Sequence, residues 1–185
     1  LFQHNSLLFI FTQWMNEGNL LELIRLHGEI KEDQAKIWFQ QMLSGIKYLH
    51  SMNLSHNNLT CKCIMMSREN VKISGLHHLT QCKRDEKIKL KCKSSSIDAF
   101  FRPPEVNEML PYNPQKSDIY SLGVILFIMI NAMIPFNAQD LERLAIQQKS
   151  LNYNFRPSKR QEISIECQIM IHTLLEPDCD QRWSV

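Results

Sequence analysis

The sequence has no long apolar run, no paired-cysteine motif and no strong excess of charge of one sign. Its longest apolar stretch, Leu122 to Ile130 counting Gly123, is about half of the ~18 residues that a membrane-spanning helix requires, so no membrane segment is expected. The cysteines at 61, 63, 82, 92, 167 and 179 never fall in C-x-x-C spacing, and no secretory leader precedes them. Reduced thiols and a cytoplasmic location are the expectation. A net charge of +2 gives no charge-based case for a nucleic-acid or membrane partner. The local basic cluster of Lys83, Arg84, Lys87, Lys89, Lys91 and Lys93 is interrupted by Asp85 and Glu86 and reads as a solvated loop. There is no internal repeat and no low-complexity segment. The first residue is Leu rather than Met, which reads as a fragment.

What is present suits one folded domain. A length of 185 residues supports a single core, and 44% hydrophobic with 22% charged residues is ordinary for a globular chain. Leu7 to Phe11 is an apolar run of strand length, followed by the turn-prone Asn16-Glu17-Gly18-Asn19. Leu20 to His27 reads as a helix ended by Gly28. Asp33 is placed to cap a long helix to His50, whose Ala35, Trp38, Phe39, Met42, Ile46 and Leu49 form one stripe. Ile64-Met65-Met66 and Val71-Lys72-Ile73 flank a polar turn, a hairpin pattern. Gly75 to Arg102 holds no period and reads as one long loop. Ser117 or Asp118 caps a helix through Ile130 that is apolar on nearly every side and must be buried. Leu141 to Lys149 and Ser164 to Leu175 are amphipathic helices.

The order of these pieces resembles the large lobe of the eukaryotic protein kinases. Leu8-Phe9-Ile10-Phe11-Thr12-Gln13-Trp14-Met15 resembles the last small-lobe strand and hinge, and Tyr48-Leu49-His50 through His56 the approach to the catalytic loop. Arg102-Pro103-Pro104-Glu105 resembles Ala-Pro-Glu, Ser117 to Gly123 resembles the D-x-W-S-x-G helix, and Arg182 resembles the late arginine. Pro111 to Lys116 and Ile134-Pro135-Phe136 look most like the testis-specific serine/threonine kinases. The implied fold is mainly α: residues 1–185 as hinge and large lobe, with a short β-hairpin at the cleft, a residual hinge strand and no small lobe.

At the chemical positions this sequence departs from the family. H-R-D-L-K-x-x-N becomes His56-Asn57-Asn58-Leu59-Thr60-Cys61-Lys62-Cys63. By resemblance, Asn58 replaces the base that accepts the substrate proton, Thr60 the lysine that steadies the γ-phosphate, and Cys63 a magnesium ligand. D-F-G becomes Gly75-Leu76-His77, which removes the principal metal carboxylate. Asn57 replaces the arginine that holds a phosphorylated activation loop, and Asp98 stands at a substrate-facing threonine. The structural set is kept: Asp118 to cap the catalytic loop, Glu105 and Arg182 as a buried ion pair, His56 and Leu76 in an apolar stack. Losing one partner of such a pair costs about 3–5 kcal/mol, so keeping both indicates a chain that must fold.

The resulting expectation is a catalytically inactive, pseudokinase-like binding or scaffold module in signalling, with no cofactor and an unknown protein partner. Two alternatives stand beside it: a testis-type serine/threonine kinase fragment using ATP and Mg whose small lobe is missing here, and a decayed gene product. Trp14 and Met15 are hinge candidates for an adenine with Met65 as its floor, although packing is the plainer role. His56, Cys61, Cys63, His77, His78 and Cys82 match no zinc spacing, so no metal is expected. Ser94-Ser95-Ser96 reads as solvated loop. The apolar strand Leu7 to Phe11 lacks cover and is a candidate for self-association.

Overall fold

The computed structural model describes residues 2–4, 7–9, 11–68, 70–83, 85–89, 96–137, 140–157 and 162–185. Among these residues helices dominate, and the strands form three separate two-stranded pairs. Strand β1 (Phe2–His4) pairs antiparallel with β2 (Leu7–Phe9), so the strand expected to be bare has a partner within the chain along one edge. Helix α1 (Leu20–His27) starts in a capping box: the Asn19 side chain accepts from the Glu22 amide at 3.1 Å and the Glu22 carboxylate accepts from the Asn19 amide. Gly28, at a φ of 81°, ends it as the sequence implied.

Helix α2 (Glu32–Ser51) begins earlier than expected, and Asp33 is not its cap but lies in its first turn. The preceding Glu32 is engaged elsewhere, accepting from the Ser164 amide at 2.8 Å and from the Ser164 hydroxyl. Its buried stripe is Ala35, Trp38, Phe39, Met42, Ile46 and His50, with Leu49 only partly covered. Strand β3 (Leu54–Ser55), a turn at Cys61–Cys63, and the hairpin of β4 (Ile64–Ser67) with β5 (Asn70–Ile73) follow. The expected long loop is more structured than its composition indicated. It contains a turn at Leu76–His78, strand β6 (Thr80–Gln81) paired with β3, and a further turn at Ser96–Phe101. Arg84, Lys91 and Lys93 of the basic cluster, Cys92, and Ser94-Ser95 lie outside the described residues.

Short α3 (Pro104–Asn107) leads to α4 (Pro114–Asn131), the pillar of the core. Neither Ser117 nor Asp118 caps α4. Asn113 does, accepting from Gln115 and Lys116 amides at 2.9 and 3.1 Å, with Pro114 in the first turn, where a missing N–H costs nothing. Every α4 residue from Ser117 to Asn131 is buried. α5 (Leu141–Lys149) is capped by Asp140, and α6 (Ile165–Leu174) by Ser164. The core gathers α4 with α2, α6, the loop residues Leu59 and Cys61, and Ile64 of β4. Among the described residues no helix is long and apolar enough to cross a membrane.

Gly123 marks where α6 crosses α4. A Cβ there would lie 2.7 Å from the Leu174 Cβ and 3.2 Å from the Leu174 backbone carbon, below van der Waals contact. Glycine in a helix interior ordinarily costs about 1 kcal/mol relative to alanine, so alanine would stabilise an open helix. Here the sign should reverse. Gly123→Ala is expected to lower stability by about 1–3 kcal/mol through overpacking. Chemical denaturation checks this, and an unchanged or higher midpoint would contradict the close crossing.

Candidate active site

The loop from His56 to Cys63 is held from below by one carboxylate. Asp118, one turn into α4 and 1% exposed, receives four donors. Its Oδ2 accepts from Ser55 Oγ at 2.7 Å and from the His56 amide at 2.8 Å, and lies 2.9 Å from His50 Nε2. Its Oδ1 accepts from the Asn57 amide at 2.8 Å. Ser55 and His50 are members of this cluster that sequence spacing did not signal. His56 is fully buried, and its Nε2 lies 2.8 Å from the Ser74 carbonyl, joining the loop to the residue before Gly75.

The positions that carry chemistry in the family face one another without a carboxylate. Asn58 is half-buried, and among the described residues its side-chain amide makes no hydrogen bond. Thr60 is buried and turned inward, its hydroxyl capping the Cys61–Cys63 turn by accepting from the Lys62 amide at 3.3 Å. Cys63 Sγ donates to the Asn58 carbonyl at 3.5 Å and lies 3.6 Å from Thr60 Oγ1. Gly75 is left-handed at φ 81°, ψ 24°, and a Cβ there would sit 3.2 Å from Cys63 Sγ and 3.6 Å from His56 Nε2. Burial, reinforced by Cys63, pushes the Cys61 thiol up to about 12, so it behaves as a buried apolar group. Burial, with Asp118 nearby, pushes Cys82 up to about 11. The five cysteines of the described residues are free, and no group of three or more His, Cys, Asp or Glu among those residues is placed to hold a metal ion.

The hinge candidates point in different directions. Met15 is buried, whereas Trp14 is 83% exposed. The chain after them is fastened to β4, with Glu17 N–H donating to the Met66 carbonyl at 3.2 Å and Met66 N–H donating to the Gly18 carbonyl at 2.9 Å. Met65 is half-buried on the same strand. Leu76, expected in an apolar stack with the buried His56, is 48% exposed on the Leu76–His78 turn. Asp98 pairs with Lys62 at 3.5 Å, a rim contact between the loop and the Ser96–Phe101 turn. Spacing gave no sign of it, since Lys62 lies two residues beyond the position where the family has lysine.

At the far side, Glu105 on α3 and Arg182 make a bidentate pair at 2.8 and 3.2 Å. Arg182 is 1% exposed, and the remaining donors reach the carbonyls of Glu176, Lys116 and Pro177 at 2.7, 3.3 and 3.1 Å. All of the guanidinium N–H groups are thereby used. Its face lies over the Tyr120 ring, 5.0 Å from the centroid.

A helical lobe packed on one buried helix, a hairpin at its cleft and an Asp118-held loop together define a protein-kinase large lobe. The chain belongs to the protein kinase family, matching the protein kinase domain over residues 1–185. It is similar to the testis-specific serine/threonine-protein kinase 1 of Mus musculus, 34% identical over 90% of this chain and 46% of the relative. The mouse testis-specific serine/threonine-protein kinase 2 is 32% identical over 95% of this chain and 49% of the relative. Sperm motility kinase 2B of Mus musculus is 33% identical over 90% of this chain and 33% of the relative. The chain thus spans about half the length of the two testis-specific relatives.

Asp118→Ala is expected to cost about 3 kcal/mol or more, because it leaves buried donors of the loop and of His50 without an acceptor. Asn58→Ala should stay within about 0.5 kcal/mol. Denaturant midpoints of the two variants measure the contrast, and equal midpoints would contradict the placement of Asp118 as the loop's anchor.

Proposed function

We propose that this chain is a catalytically inactive, pseudokinase-like module that acts by binding and scaffolding in a signalling setting of the kind its testis-specific relatives suggest. The observation that carries this reading is the state of the phosphoryl-transfer positions: Asn58 supplies no base, Thr60 no cationic amine, and Cys63 and Gly75 no hard oxygen ligand. Transfer depends on positioned charge and magnesium, and an amide, a hydroxyl, a thiol and a bare Cα replace neither. Two of these groups satisfy each other instead, with Cys63 Sγ beside Thr60 Oγ1 and donating to the Asn58 carbonyl. The intact Asp118 and Arg182 clusters support a role that needs the lobe's shape. On this reading no ATP or magnesium is bound, the partner is a protein, and the site of action is cytoplasmic.

Magnesium–ATP added to the purified chain is expected to leave its melting temperature unchanged, since a ligand that binds only the native state must raise it. Radiolabel transfer to a generic protein substrate should be absent. A magnesium-dependent stabilisation, together with transfer abolished by Asn58→Ala or Gly75→Ala, would overturn the reading in favour of an enzyme.

The same reading includes self-association through Leu7 to Phe11. The β1–β2 pair leaves open strand edges among the described residues, and the adjoining Phe11 is 79% exposed. The chain should sediment as a concentration-dependent oligomer, and Phe9→Lys with Phe11→Lys should shift it to monomer. A wild-type monomer at all concentrations would remove this element of the proposal.

A further inference from the structure

The residue after His56 makes contacts that the inactive site does not require. Asn57 has a φ of 61°, the left-handed region that Asn enters more readily than most residues. Its backbone amide is fixed on Asp118, and its side chain bonds to two other segments. Asn57 Nδ2 donates to Thr80 Oγ1 at 3.0 Å, and Asn57 Oδ1 accepts from Tyr112 Oη at 2.8 Å. Tyr112 is 2% exposed, and burial raises its phenol further, so it stays a donor across the neutral range. Its backbone closes a second contact: Ile88 N–H donates to the Tyr112 carbonyl at 2.8 Å and Tyr112 N–H donates to the Ile88 carbonyl at 2.9 Å. A ring of bonds therefore runs from Thr80 through Asn57 and Tyr112 to Ile88, with both ends of the 80–88 stretch in it.

We propose that Asn57 and Tyr112 form a latch that fixes the root of the activation-type segment, at residues 80–83 and 85–88, against the loop without any added charge. Segments of this kind are otherwise ordered when a phosphate pairs with arginine. Here the position that would supply an arginine is an asparagine whose backbone N–H, Oδ1 and Nδ2 each have a partner within the chain. Each bond of the latch joins uncharged groups, so its strength depends little on ionic strength. The β3–β6 pairing and the Cys82 N–H bond to the Asn53 carbonyl at 2.9 Å continue the same seam. One ionic contact also touches the segment, Lys87 with Asp180 at 3.0 Å, but both side chains are exposed and it lies outside the ring. The latch presents a constant surface at the segment root, whatever happens further along the loop.

Backbone amide hydrogen exchange on the unmodified 185-residue chain tests this, with mass spectrometry confirming that it carries no phosphate. The amides of Cys82 and Ile88 should be protected in that state and remain so in high salt. Tyr112→Phe and Asn57→Ala should each speed their exchange by about tenfold, and the double variant by little more, since either change breaks the same ring. Amides in the middle of α4 serve as the control for global unfolding and should not follow. Lys87→Ala should leave the pattern unchanged. Absence of protection until the segment is phosphorylated would overturn the proposal, as would unchanged exchange in Tyr112→Phe or an equal effect of Lys87→Ala.

Discussion

The fold of the cleft depends on one buried carboxylate. Asp118 reaches up from a helix that is covered along nearly its whole length, and four donors from α2, β3 and the loop converge on it. A buried carboxylate is tolerated only where hydrogen bonds replace its hydration, and here backbone and side-chain donors do so from two sides. The consequence is directional. Because His56 and Asn57 amides are both held, the loop leaves β3 at a fixed angle, and the placement of Asn58, Thr60 and Cys63 follows. Asn57 then passes the same constraint outward to Thr80 and Tyr112.

Arg182 and Glu105 do for the opposite side of the lobe what Asp118 does for the cleft. An ion pair this deeply buried is a weak source of net stability, because desolvation offsets most of the attraction. Its value is geometric: the guanidinium joins α3, the start of α4 and the loop after α6 in one fork. Charge has been retained where it fixes relative positions of elements. Where the family uses charge to handle phosphate and metal, the sequence has uncharged groups instead. That division supports the reading of a lobe maintained for shape.

Much of this was legible in the chain, and the reasons differ by element. The end of α1 followed from Gly28 and the extent of α5 from its amphipathic pattern, while their caps, Asn19 and Asp140, emerged only from the structure. The β4–β5 hairpin followed from two apolar runs around a polar turn. The start of α4 was misplaced because Ser117 and Asp118 are strong caps in isolation, yet Asn113-Pro114 offered a better one a turn earlier. β3 and β6 are two residues each and carry no period to detect. The family resemblance pointed to Asp118, Glu105 and Arg182. It could not show the exposure of Leu76 or the Tyr112–Asn57 contact, because these depend on long-range geometry and not on spacing.

The loop that carries Asn58, Thr60 and Cys63 is also self-sufficient in its contacts, which bears on what can be built there. Phosphoryl transfer in this family relies on magnesium ions that carboxylate and amide side chains hold against the nucleotide's phosphates. Here Thr60 caps its own turn, Cys63 donates to the Asn58 carbonyl, and Gly75 takes a left-handed turn that leaves room for Cys63 Sγ. No group in that set requires a cation for balance. A side chain at position 75 would place its Cβ 3.2 Å from Cys63 Sγ, so the sulfur would have to give way, and at a φ of 81° the backbone there disfavours any residue with a Cβ. On the proposed reading the loop's geometry is set by the protein alone. That is the property a binding surface needs, since a surface whose shape followed nucleotide occupancy would present its partner with two different faces.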